Sequence, residues 1–277
     1  MMKEDIIYGG VVKQIREKRQ LSQAELAEGI CSQSMLSRIE HNLLVPNINV
    51  IRQLCERLTI TMDEVINQTT TNSWLGFMRE CSESNRHEDL QLLVKETAKS
   101  IGIIFPSKIE RQEYLYYKGT CELILNRDNQ LALNSFQESL NCTYSSDKEA
   151  VTDMEILLLS VIGKIYYEEG QGSIGLSFME KALERFYVGI NKREEIELPY
   201  IFANLGMSMI EEGNPKRALE ILEEGILWNK KKQRFFCMSK LYLFKGLALN
   251  DLGQIDESID AVKMSESLAL LEADLSF

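Results

Sequence analysis

The chain has 277 residues, enough for two domains and a sizeable core. Its net charge of −11 argues against broad non-specific binding of nucleic acid, but the acid is unevenly placed: residues 1–66 sum to −1 and residues 67–277 to −10. There is no apolar run of membrane-spanning length, no apolar segment of signal-peptide type at the start, and no paired CxxC spacing among the six cysteines; these features predict a cytoplasmic protein with no membrane partner, disulfide framework or zinc site.

Four prolines and a 3.6-residue apolar period along most of the chain predict an all-α protein. A first helix is expected over Ile6–Arg19, with Ile7, Val11, Val12 and Ile15 inward and Lys13, Arg16, Lys18 and Arg19 outward or at its end. In the stretch LSQAELAEGICSQSMLSRIE (Leu21–Glu40), Ser22 and Glu25 form a capping box that starts a helix at Gln23, and Gly29 ends it. Ser32 caps a second helix, Gln33–Glu40, that turns Leu36 and Ile39 inward and Gln33, Ser34, Ser37 and Arg38 outward. Two short helices joined by a tight turn, the second showing side chains able to bond base edges, form a helix-turn-helix. Pro46 and Asn47 open a fourth helix carrying Ile51, Leu54 and Leu58 on one face, and a capping box of Thr61 with Glu64 opens a fifth through Ile66. Residues 1–66 are therefore read as one five-helix DNA-binding domain.

On the second helix of the motif, Gln33 can bond adenine bidentately and Arg38 guanine, while Ser34 and Ser37 can reach bases or phosphates. Ser22, Gln23, Ser32 and Asn42 are the expected phosphate contacts. A plain solvated face would account for the first four, and capping alone for Ser22 and Ser32.

The polar stretch 67–72, NQTTTN, reads as a linker. From Ser73 onward small or apolar residues recur at Met78, Gly119, Gly163, Gly206 and Gly246, at intervals of 41, 44, 43 and 40. Twelve residues beyond each lies the start of a partner helix, at Leu90, Leu131, Gly175, Ala218 and Ser258, the second fitting better one residue later, at Ala132. Five degenerate helix pairs are expected over residues 73–277, resembling tetratricopeptide repeats and stacking as a right-handed α-solenoid.

Segments SQAELAEGI and SQSMLSRIE, with the Pro46 helix, resemble the DNA-binding domain shared by phage Cro and C1 repressors. The run ICSQSMLSRIE is most similar to PlcR-type members of the peptide-responsive RNPP regulators (Rap, NprR, PlcR, PrgX), which also join such a domain to about five repeats. The resemblance implies that Gln33, Ser34, Ser37 and Arg38 face DNA, that Arg16 pairs with Glu40, and that a short signalling peptide binds the concave face of the repeats, as in quorum sensing. In tetratricopeptide folds the first helix of each pair lines that face, which selects Lys164, Tyr167, Tyr200, Asn204, Met207, Lys240, Phe244 and Asn250 from a wider pool. Asn204 resembles the asparagine that holds peptide backbone in these proteins. Each of the aromatic residues could equally fill the core between helices.

Gly170, Gly172 and Gly175 match GxGxxG after an apolar run, but the same slot recurs as a turn in the other pairs, and Glu168 and Glu169 would repel a pyrophosphate. No cofactor is expected. Neither His41 nor His87 sits in a nucleophilic pattern, so no catalytic residues and no enzyme are expected. The reading is a homodimeric transcription regulator that binds double-stranded DNA at a palindromic operator under control of a short peptide. The alternative is a helix-turn-helix regulator whose repeats only dock a protein or dimerise.

Overall fold

The computed structural model describes residues 8–41, 43–44, 46–60, 71–99, 107–148, 150–188, 193 and 195–274, and the regular structure among them is helical. The chain divides into two compact units, Met1–Leu125 and Asn126–Phe277. Among the described residues no helix is long and apolar enough to cross a membrane.

In the first unit, α1 (Tyr8–Lys18), α2 (Gln23–Ala27), α3 (Gln33–Glu40) and α4 (Ile48–Arg57) enclose a small core. Val12, Leu26, Leu36, Ile39 and Leu54 are at most 1% exposed, so their spacing has put one face of each helix inside. Ser22 accepts from the backbone N–H of Glu25, whose side chain bonds back to Ser22, and Ser32 accepts from the N–H of Met35. Asn47 caps α4 by accepting from Asn49. Gly29 takes φ +71, the left-handed conformation that lets α2 stop sharply. The expected fifth helix at Thr61–Ile66, the start of α1 at Ile6–Ile7, and Asn42 lie outside the described residues.

The same unit holds α5 (Thr71–Glu83), α6 (His87–Lys99) and α7 (Lys108–Ile124). Helix α5 already includes Thr71 and Asn72, which were expected in the linker; polar residues fit a helix's first turn, where N–H groups want partners, so polarity alone does not mark its start. Asp89 on α6 accepts a hydrogen bond from the backbone of Ile48 at the start of α4, tying the first repeat to the helix-turn-helix segment. Arg86 flanks it, pairing with both Asp89 and Glu80.

The second unit is built from α8 (Asn129–Asn141) and three antiparallel pairs: α9 (Asp153–Glu168) with α10 (Gly172–Tyr187), α11 (Pro199–Glu211) with α12 (Pro215–Lys232), and α13 (Met238–Asp251) with α14 (Ile255–Asp274). In the first unit α5 and α6 form a further pair. The repeat anchors are points of close approach between paired helices. A Cβ on Gly163 would stand 2.7 Å from the carbonyl oxygen of Gly175, and one on Gly175 2.6 Å from that of Gly163. At Gly246 the partner-helix start, Ser258, donates its hydroxyl to the glycine carbonyl at 2.8 Å. The one-residue shift in the second pair holds: Ala132, Phe136 and Ser139 are at most 1% exposed, whereas Leu131 is 49% exposed. Burial of side chains such as Phe136, Phe202 and Ile156 contributes roughly 1.5–3 kcal/mol each.

Two buried ionic clusters hold turns of this unit. Arg193 donates to the carbonyls of Val151, Arg185 and Phe186 and pairs with Asp153 at 3.0 Å. Glu155, fully buried, accepts from Lys148, from the hydroxyl of Thr143 and from the N–H of Thr152.

Candidate nucleic-acid interface and ligand pocket

Helices α2 and α3 carry the residues expected to meet DNA. Gln33, Ser34 and Arg38 are exposed along α3, and Ser37 is half-buried. Beneath them runs a chain of hydrogen bonds. Arg16 Nε and Nη2 donate to the two oxygens of Glu40 at 2.6 and 2.9 Å; Gln23 Nε2 donates to Glu40 Oε2 at 2.8 Å; and Gln33 Nε2 donates to Gln23 Oε1 at 2.6 Å. Arg16 is thus buried, contrary to its expected outward direction on the first helix, and its pair with Glu40 is the one the family resemblance implies. The hydrogen bonds that Arg16 donates to Glu40's carboxylate, working against burial, raise the arginine's pKa.

The chain ties the exposed Gln33 amide to Gln23 through one N–H; a bidentate contact to adenine needs only an amide's Oε1 and one N–H. Gln23, expected on a phosphate, is in this structure the bridge between Gln33 and Glu40. Ser22 and Ser32 act as caps, and the Ser32 hydroxyl also lies 3.0 Å from that of Ser34. His41, just after α3, has Nδ1 2.7 Å from the carbonyl of Ser37. Arg57 of α4 donates to the carbonyls of Glu25, Leu26 and Glu28, tying down the free C-terminal end of α2. That role was invisible in sequence, because the residues lie about thirty positions apart.

A second site lies wholly within the second unit. Three consecutive first helices, α9, α11 and α13, line a pocket of about 260 Å³. Helix α9 contributes Lys164, Tyr167 and Glu168, α11 contributes Ala203, Asn204, Met207, Ser208 and Glu211, and α13 contributes Lys240 and Phe244. Six of the eight residues selected by repeat offset therefore meet here. Tyr200 is not in the lining; it supports it, packing edge-on against Phe236 and lying under the ammonium of Lys240. Asn250 is exposed on α13 and lies outside the lining, under two turns past Phe244 toward the helix's C-terminal end. The offsets missed Glu168, Ser208 and Glu211, although Ser208 and Glu211 follow Asn204 and Met207 at the same helical interval of four.

Asn204 is 8% exposed and donates Nδ2 to Ser160 Oγ at 3.1 Å, which sets its amide plane. Its Oδ1 has no protein partner among the described residues. Lys164 pairs with Glu168 at 2.8 Å, and Tyr167 donates to Glu212 at 2.9 Å. Burial and that hydrogen bond push the phenol up to about 12, so it stays a neutral donor. The pocket thus joins a fixed amide, an apolar wall of Met207 and Phe244, and the half-buried ammonium of Lys240. The glycine motif is not a phosphate loop: Gly170 lies in the turn between α9 and α10, Gly172 opens α10, and Gly175 is wedged against Gly163.

These features define a protein with an N-terminal helix-turn-helix and a region of tetratricopeptide-like helix pairs. The helix-turn-helix family model matches residues 12–65. Over 264 residues the chain is 23% identical to the transcriptional activator NprA of Geobacillus stearothermophilus, an alignment covering 90% of this chain and 59% of that one. The chain thus spans somewhat under two thirds of that relative's length. Among solved structures, PlcR of Bacillus thuringiensis in complex with the peptide PapR7 and DNA matches with a TM-score of 0.58 at 17% identity, covering 97% of this chain and 98% of PlcR. ComR of S. thermophilus in complex with DNA and its signalling peptide ComS matches with a TM-score of 0.51 at 16% identity, over 97% and 96% of the two chains. The fold is that of the PlcR-type regulators, helix-turn-helix and repeats together.

Proposed function

We propose that this chain is a DNA-binding transcription regulator that reads a palindromic operator as a homodimer through α3 and is controlled by a short peptide in the pocket between α9, α11 and α13. The observation that carries the DNA reading is the braced, uncharged-to-basic strip of Gln33, Ser34 and Arg38, held in place by the chain from Gln23 through Glu40 to Arg16. Strips of this kind contact base edges, while caps such as Ser22 and Ser32 and helix N-termini sit against phosphates. The acid concentrated after residue 66 keeps the rest of the chain off DNA and confines contact to that strip.

The peptide reading is supported by Asn204, whose oriented amide can accept a peptide N–H and donate to a carbonyl, and by apolar and cationic groups from three successive pairs around it. The likeness to PlcR and ComR, both solved with a peptide and DNA, points the same way. A ligand touching three helices at once favours the arrangement it fits best, and a regulator transmits that shift in population to DNA affinity.

The test is selection of binding sites from random duplexes by the full-length protein, repeated with synthetic peptides. A palindromic consensus whose enrichment changes with peptide is the expected result. Failure to retain any duplex overturns the regulator reading; a consensus indifferent to every peptide overturns the peptide half.

A further inference from the structure

The pocket contains two lysines in different electrostatic situations. Lys164 is neutralised by Glu168 at 2.8 Å. Lys240 is held between two aromatic faces, its Nζ 5.4 Å from the ring centroid of Tyr200 and 5.8 Å from that of Phe244. No carboxylate pairs with it among the described residues: Glu168 is engaged by Lys164, Glu212 accepts from Tyr167, and Glu211 stands exposed to solvent. Aromatic faces hold an ammonium in place without replacing the hydrogen-bond acceptors it had in water. Burial holds the amine below the ordinary lysine value; Lys164 adds to the effect, while Cys237 and the more distant charge of Glu168 work against it. An anion reaching Lys240 would supply the missing acceptor to a half-buried ammonium, through a charge-assisted bond.

We infer that Lys240 makes this pocket selective for a ligand carrying a carboxylate beside an apolar group, the carboxylate on the lysine and the apolar group against Met207 and Phe244. The inference rests on the peptide reading and narrows it: the carboxylate is a peptide's C-terminus or an Asp or Glu side chain. Placed there, it leaves the neighbouring peptide unit for the amide of Asn204.

Two synthetic heptapeptide mixtures of identical random composition, one with free and one with amidated C-termini, separate the cases. Each is incubated with the full-length protein, and the peptides retained after gel filtration are sequenced by mass spectrometry. Selectivity for a terminal carboxylate appears as retention at least tenfold greater from the free mixture. Selectivity for a side-chain carboxylate appears as Asp and Glu enriched at one position in both. Lys240→Met, which keeps the stem, is expected to lose either bias and Lys240→Arg to keep it, with circular dichroism melts confirming folding.

Peptides retained by the unmodified protein without a carboxylate bias, or a bias that survives Lys240→Met, overturn the inference and leave the peptide reading standing. Retention of no peptide from either mixture removes both. The first of these outcomes needs no variant, so a misfolded Lys240→Met does not shelter the inference.

Discussion

Arg16 and Glu40 form a bidentate pair between the first helix and the end of the helix offered to DNA, with side chains 9% and 0% exposed. The pair is the inner end of the chain that reaches the surface at Gln33. Removing one member leaves a buried charge without its partner, which costs about 3–5 kcal/mol. Arg16→Ala and Glu40→Ala should each lower the unfolding free energy of the helix-turn-helix segment by that much, and its urea midpoint accordingly. Arg16→Met with Glu40→Leu should recover a large part of it, since well-packed apolar residues often replace a buried pair at little cost. Urea titrations of the full-length protein check both. A double variant as unstable as either single one would show that the charges themselves are required.

On the DNA side, Arg38→Ala should relax preference at a guanine and cost about 1–3 kcal/mol on the selected site, and Gln33→Ala should do the same at an adenine. Gln23→Ala is the informative variant. If Gln23 serves to orient Gln33, its removal blurs the adenine preference; if it is only a phosphate contact, affinity falls evenly on all sequences. Site selection with each variant at fixed salt distinguishes the two.

The helix-turn-helix was legible because its determinants are local: Ser22 with Glu25, Gly29 and Ser32 each act within four residues. The repeats were legible for a related reason, since Gly163 and Gly175 or Gly246 and Ser258 recur at a spacing set by helix length. The direction of Arg16 was misread from its polarity, although it follows the buried Val12 by four residues and shares its face. Contacts such as Arg193 with the carbonyl of Val151, or Arg57 with the end of α2, depend on how distant segments meet, which no periodicity encodes.

Glycine replacements test the packing of the pairs. In Gly175→Ala the new Cβ meets backbone, 2.6 Å from the oxygen of Gly163 and 2.7 Å from the nitrogen of Tyr167, so α9 and α10 must move apart. Overpacking of this kind costs about 1–3 kcal/mol. In Gly246→Ala the nearest atom is Cγ2 of Val262 at 2.8 Å, a side-chain methyl that can give way. Thermal melts should therefore place Gly175→Ala well below Gly246→Ala. Because Tyr167 lies in the pocket, Gly175→Ala should also weaken any ligand that contacts it.

Glu155 makes the second unit sensitive to acid. Burial alone would raise its pKa, but hydrogen bonds from Lys148, Thr143 and the backbone of Thr152 outweigh burial and hold it below the ordinary value of 4.5. A carboxyl more acidic in the folded than in the unfolded chain binds fewer protons when folded, so the stability it contributes is complete above pH 4.5 and is lost as pH falls through the folded value. Glu155→Gln removes that dependence, because the amide does not titrate. Melts of the two proteins should therefore differ most near neutral pH, where the unmodified protein is more stable, and converge as the pH falls through the folded value of Glu155. Curves that stay parallel across that range would mean the cluster acts through packing and hydrogen bonding alone, with no contribution from the charge of Glu155.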